Sequence, residues 1–131
     1  MEIKRIAFDT SAYTALKQGN QEIMDILERA DDVYLSPVVV GELLFGFKNG
    51  TKLSWNKDLL DKFIDRGVMV SRFSSETSDI YSDIIYDLKK KGRPIPTNDV
   101  WIAAQSMEQG SVLLTLDKHF KQIDGLRMIL F

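Results

Sequence analysis

The sequence predicts an α/β fold: a central, mostly parallel sheet of about five strands, flanked by helices on both faces. Three observations support this. Short apolar runs that read as strands alternate with segments of helical period along nearly the whole chain, the pattern of strand–helix–strand units. Caps, prolines and glycines stand where such elements must start and stop. No internal repeat, low-complexity stretch or linker divides the chain, so residues 1–131 read as one domain, large enough to bury an ordinary core.

Taken in order, residues 3–8 form an apolar-rich run that stops at Asp9-Thr10-Ser11, a helix-start cluster, so a strand feeds a helix there. Gly19-Asn20 punctuates, and Ile23, Ile26 and Leu27 give residues 22–30 a helical spacing. Val33-Tyr34-Leu35 is a minimal strand. Ser36-Pro37 follows, a cap with proline in the first turn, and opens a helix over residues 38–47. Residues 53–66 read as another helix, ended by Gly67 and followed by the strand Val68-Met69-Val70. Ser74 or Ser75 caps a long helix in which Ile80, Tyr81, Ile84, Ile85 and Leu88 keep the helical period. It ends in Lys89-Lys90-Lys91-Gly92, cations in the last turn and then glycine. After Pro94 and Pro96, a helix beginning at Thr97 or Asn98 runs to about Gln109 and stops at Gly110. Val112-Leu113-Leu114-Thr115 is the clearest strand. Asp117 starts a short helix, and residues 127–131 are the last strand.

Composition narrows the chemistry. The chain has no cysteine, which excludes disulfides, thiolate zinc sites and cysteine nucleophiles. Its single histidine, His119, excludes multi-histidine metal sites and makes a serine–histidine triad implausible. A metal is therefore expected on oxygen ligands, which points to Mg²⁺ with Mn²⁺ as a substitute. The first eight residues lack a secretory pattern, and residues 38–47 are too short an apolar stretch to cross a membrane. A cytoplasmic chain without membrane association is expected. The net charge of −2 argues mildly against a nucleic-acid partner, unless several acids share a cation.

Four acids stand out. Asp9 and Asp117 fall just past strand ends, where the ligand crevice of a parallel sheet lies, although helix capping explains either one alone. Asp99 sits in the first turn of its helix, where the macrodipole also favours a carboxylate. Glu42 is different: it is the only charge in a helix apolar nearly all round, too far in to cap it, and expected to be buried. Its carboxylate needs a basic partner, a metal or a wet cleft, and the last two are favoured. Asp79, Asp83 and Asp87 recur opposite an apolar stripe and read as a solvated face; Asp31, Asp32, Asp58, Asp61 and Asp65 are equally surface-bound. Carboxylates crowded together stay ionised only with cations between them. Mg²⁺ there could activate a water, orient a phosphodiester and offset charge on the leaving oxygen, so phosphodiester hydrolysis suits this residue set.

On these residues the chain resembles the PIN-domain family, and within it the VapC-type toxins of toxin–antitoxin pairs. The resemblance spans essentially the whole chain. It is carried by Ile6-Ala7-Phe8-Asp9-Thr10-Ser11, by Ser36-Pro37-Val38-Val39-Val40-Gly41-Glu42-Leu43, by Asn98-Asp99-Val100-Trp101-Ile102-Ala103-Ala104 and by Leu113-Leu114-Thr115-Leu116-Asp117-Lys118-His119-Phe120. It implies a metal-dependent endoribonuclease in which Asp9, Glu42 and Asp99 direct metal binding, with Asp117 as a fourth acid often acting through water. Ser11 and Thr115 match the hydroxyl residues that assist near the first and last acids, with capping and strand-end packing as their plainer roles. The resemblance also implies a structured RNA substrate, frequently transfer RNA, an antitoxin whose tail covers the active site, and often a homodimer.

Lys89, Lys90, Lys91 and Arg93 are candidates for RNA contact or simply cations against a helix dipole. Lys118 and His119 could face the cleft, though a solvated helix start is the plainer reading. Trp55 is either core or part of a dimer surface. Two other functions compete. An aspartyl-phosphate enzyme of the phosphatase type wants a second Asp two residues after the first, where Ser11 stands. A non-catalytic PIN-like module that binds RNA or protein would be favoured by loss of an acid, and none is lost.

Overall fold

Five strands pair in a wholly parallel sheet of order β3-β2-β1-β4-β5 in the computed structural model, which describes residues 3–131. The strands are β1 (Arg5–Phe8), β2 (Asp32–Leu35), β3 (Met69–Val70), β4 (Val112–Thr115) and β5 (Met128–Leu130). Between them lie α1 (Thr10–Lys17), α2 (Gln21–Arg29), α3 (Pro37–Asn49), α4 (Leu53–Asp65), α5 (Ser75–Lys91) and α6 (Thr97–Gln109), with a 3₁₀ segment at Lys118–Gln122. The expected architecture is therefore present. No helix among the described residues is long and apolar enough to cross a membrane.

The central strands are apolar on both faces because helices cover both. Ile6, Phe8, Leu113 and Leu114 are fully buried, and Leu35, Val39, Val100 and Phe120 close the core around them. Phe8 and Tyr13 meet Phe63 of α4 edge-on, at 5.6 and 5.2 Å between ring centres. On the other side, Trp101 of α6 stacks on Tyr81 of α5 at 3.7 Å and takes Phe73 edge-on. Helix starts follow local chemistry. Asp9, Asn20 and Ser36 accept backbone N–H groups at the starts of α1, α2 and α3, and Ser74 forms a capping box with Thr77 on α5.

The sheet order decides where a site can form. The chain runs from β1 outward through β2 to β3, then returns to lay β4 on the other side of β1. Connections therefore diverge at the β1–β4 boundary, and a crevice opens beyond the carboxyl ends of those two strands.

Two expectations need correction. The α3 helix is not apolar all round in its packing. Phe45 is 66 % exposed, Gly41 and Gly46 face outward, and Glu42 is only half-buried, because α3 buries Val39, Leu43 and Phe47 in the core and packs Val38, Val40 and Leu44 against it only in part. Trp55 is 68 % exposed and does not belong to the core, since α4 turns Leu60 inward instead. Element ends differ only slightly. α3 continues to Asn49, Val68 lies outside β3, and the short helix after Asp117 is a 3₁₀ turn.

Candidate active site

Asp9 leaves β1 and caps α1, accepting the Ala12 N–H at 2.7 Å, and it is 4 % exposed. Its carboxylate is also clamped by two hydroxyls. Ser11 Oγ donates to its oxygens at 2.7 and 2.9 Å, and Thr115 Oγ1 at the end of β4 donates to Oδ2. Each hydroxyl in turn accepts a backbone N–H from the strand exit: Leu116 onto Ser11 at 3.0 Å and Asp117 onto Thr115 at 2.9 Å. These bonds tie the ends of β1 and β4 together through Asp9. Burial pushes the Asp9 carboxyl above its ordinary pKa, and nearby Asp117 adds to this, while the donors from Thr115, Ala12 and Ser11 favour the ionised form.

Glu42 reaches the same crevice from one turn into α3. Thr10 Oγ1 donates to its Oε1 at 2.6 Å and Asn98 Nδ2 to its Oε2 at 3.3 Å. Asp99, the third residue of α6, has a side chain 16 % exposed, and its pKa is raised to about 6. Burial is the largest cause, followed by the charges of Asp117, Glu42 and Asp9, with His119 acting the other way. Asp117 caps the 3₁₀ segment by accepting the His119 N–H at 2.9 Å. With Thr10, Ser11 and Ile102, the four acids line an open cleft of about 270 Å³.

The structure thus brings together Asp9, Glu42, Asp99 and Asp117, with Ser11 and Thr115 bound to Asp9. Capping and site membership are not alternatives here, because Asp9 and Asp117 do both. Among the described residues, no lysine or arginine pairs with any of the four. Four carboxylates facing one open cleft, with no lysine or arginine paired to them among the described residues, are a donor set that fits a hard divalent cation.

Two residues in the site were not singled out by sequence reasoning, and a third, His119, was named with a solvated helix start as its plainer reading. Thr10 and Asn98 orient Glu42, yet nothing local says that α1 and α6 meet α3 there. His119 stands at the rim of the cleft with its ring still 58 % exposed, its Nδ1 3.3 Å from Asp117 and 3.8 Å from Asp99. One oxygen or nitrogen from each of Asp99, Asp117 and His119 lies within 4.8 Å of the others. Of the basic run before α6, Lys91 is held by Asp124 at 2.7 Å and Arg93 donates to Gln122 at 3.2 Å. Asp79, Asp83 and Asp87 are exposed, as expected of a solvated face.

The fold and site together have the form of an acidic-cleft α/β nuclease domain. The PIN domain model matches residues 6–126, and the chain belongs to the PIN-domain family. Its relatives are consistent in kind. It is 32 % identical to "Ribonuclease VapC1" of Rickettsia felis over 127 residues, 95 % of this chain and 94 % of that protein. It is 29 % identical to "Ribonuclease VapC2" of the same organism over 104 residues, 79 % of this chain and 77 % of that one. Among solved structures it is similar to VapBC2 from Rickettsia felis bound to a DNA fragment from their promoter. The TM-score is 0.84 at 25 % identity, covering 97 % of this chain and 98 % of the other.

Proposed function

We propose that this protein is a metal-dependent endoribonuclease, the VapC-type toxin of a toxin–antitoxin pair. The observation that carries this is the convergence of Asp9, Glu42, Asp99 and Asp117, from four separate segments, on one open cleft with no lysine or arginine paired to them among the described residues. The names of the relatives, ribonucleases of the same length class, support the reaction.

In this reading Asp9, Glu42, Asp99 and Asp117 hold Mg²⁺, with Mn²⁺ as a substitute. A divalent cation there supplies a polarised water and offsets charge on the phosphate and leaving oxygen. The chain's own groups prepare the place. Ser11, Thr115 and the Ala12 N–H fix Asp9 and favour its ionised form against burial, while Thr10 and Asn98 aim Glu42. Burial first, and then the charges of Asp117, Glu42 and Asp9, raise Asp99 to about 6, and a cation would relieve both. Ser11 and Thr115 act as positioning residues, since their hydroxyls are spent on Asp9.

The substrate is structured RNA, with transfer RNA the first to test, and Lys89 and Lys90, which have no acidic partner within ion-pair distance among the described residues, are available to its phosphates. A cognate antitoxin is the expected protein partner, supported by the neighbours solved as toxin–antitoxin complexes. The chain works in the cytoplasm as a single domain and a homodimer, with exposed Phe45 and Trp55 offering apolar surface for association.

The test is cleavage of total transfer RNA by the purified protein. Cutting is expected with Mg²⁺ or Mn²⁺ and not with excess EDTA, and folded Asp9→Asn and Asp99→Asn variants should lose about a hundredfold or more in rate. Cleavage that persists in EDTA would overturn the metal reading. A folded wild type that binds no Mn²⁺ and cuts no RNA would instead favour a non-catalytic binding module.

A further inference from the structure

His119 faces the acids, yet nothing above gives it a task. Its ring is folded back over the carboxylate that caps its own turn: Asp117 Oδ1 accepts the His119 N–H at 2.9 Å and also stands 3.3 Å from the ring Nδ1. The same Nδ1 lies 3.8 Å from Asp99 Oδ2. Both separations exceed the usual N–H···O hydrogen-bond range. They suit another geometry. Neighbouring donors around a six-coordinate ion with bonds of about 2.1–2.2 Å stand about 3 Å apart, and opposite donors about 4.3 Å apart. The two Nδ1 separations, 3.3 and 3.8 Å, lie between those values, and the ligand atoms of Asp99, Asp117 and His119 are all within 4.8 Å of one another.

We infer that His119 supplies its Nδ1 to the bound cation, making the centre a mixed nitrogen–oxygen site that favours first-row transition ions over Mg²⁺. This rests on the reading that the acids hold a divalent cation. The chemistry follows from ligand character. An imidazole nitrogen adds little for Mg²⁺, which prefers oxygen and its own waters, and more for ions further along the first row. Coordination through Nδ1 needs the lone pair there, so the ring binds as the neutral tautomer carrying its proton on Nε2. The exposed position of the ring, 58 % open to solvent, lets it settle on an ion without disturbing the core.

Electron spin-echo spectroscopy of the Mn²⁺-loaded wild-type protein tests this, because a directly bound imidazole nitrogen modulates the Mn²⁺ signal. The inference predicts that modulation in the wild type and its loss in His119→Gln. Calorimetry should then show the ratio of Co²⁺ to Mg²⁺ affinity falling about tenfold or more in the variant. The metal-free variant should keep the wild-type melting temperature. Mn²⁺ that binds the wild type with no nitrogen modulation, or an unchanged affinity ratio, overturns the role of His119 and leaves the acidic site standing. A folded wild type that binds no Mn²⁺ overturns both.

Discussion

Asp99 is the residue at which the electrostatics of the cleft concentrate. In the folded protein its pKa is raised to about 6, so between about 4 and 6 the native state binds a proton that the unfolded chain has already lost. Metal-free stability therefore falls as pH rises through that window, and the penalty is fully present above 6. Asp99→Asn removes it and should stabilise the EDTA-treated protein by about 1–3 kcal/mol at pH 7.5. The advantage should shrink towards pH 4.5, which urea melts at the two values would show. Equal stability of the two proteins at pH 7.5 would mean that neither burial nor the neighbouring acids penalise the ionised carboxylate. With Mn²⁺ present the order should reverse, because the carboxylate then has a cation. Thr115 belongs to the same scale. It is fully buried, donating to Asp9 and accepting from the Asp117 N–H. Thr115→Val keeps the shape and deletes both bonds, so a loss of about 1–3 kcal/mol is expected in urea titration. A neutral result would leave strand-end packing as its only role.

At the scale of elements, each helix that carries an acid also needs a fixed end. The α6 helix, which presents Asp99, stops at Gly110 with φ +65°, and a Cβ there would meet nothing within 4 Å. The cost of Gly110→Ala is then backbone strain alone, about 1 kcal/mol. Gly46 offers the opposite case, being exposed within α3 at helical geometry with equal room for a Cβ. Gly46→Ala should stabilise by about 0.5–1 kcal/mol, and thermal melts of the two variants should move in opposite directions. These signals are local, which is why the elements were legible. Ser36-Pro37, Gly92 and Gly110 mark helix ends wherever they occur. The packing of α3 was not legible, since which of its apolar residues touch the core depends on how α3 lies on the sheet. Phe45 and Leu43 look alike in sequence, but one is exposed and the other is buried.

At the scale of the molecule, strand order makes the site. β4 could have followed β3 at the sheet edge; instead it lies beside β1, and this sets Thr115 against Asp9, 106 residues apart in sequence. The acids themselves were readable, because two sit at strand ends and Glu42 is a lone charge among apolar neighbours. Their helpers were not. Thr10 and Asn98 gain meaning only when separate elements meet, and no local pattern distinguishes them from ordinary helix-start residues, while His119 was readable only as a neighbour of Asp117. A site built from four segments should also couple metal binding to global stability. Mn²⁺ at about a hundred times its Kd should stabilise the fold by about 2.7 kcal/mol, a shift that EDTA reverses in a thermal melt. A melting temperature indifferent to Mn²⁺ would count against a cation bound by the folded cleft.

The central claim is that these acids hold a divalent cation, and anomalous scattering from a crystal soaked in Mn²⁺ addresses it most directly. The account predicts a Mn²⁺ peak inside the cleft, within about 2.1–2.3 Å of carboxylate oxygens drawn from Asp9, Glu42, Asp99 and Asp117. A cleft without a peak, or with Mn²⁺ only on the exposed acids of α5, would contradict it.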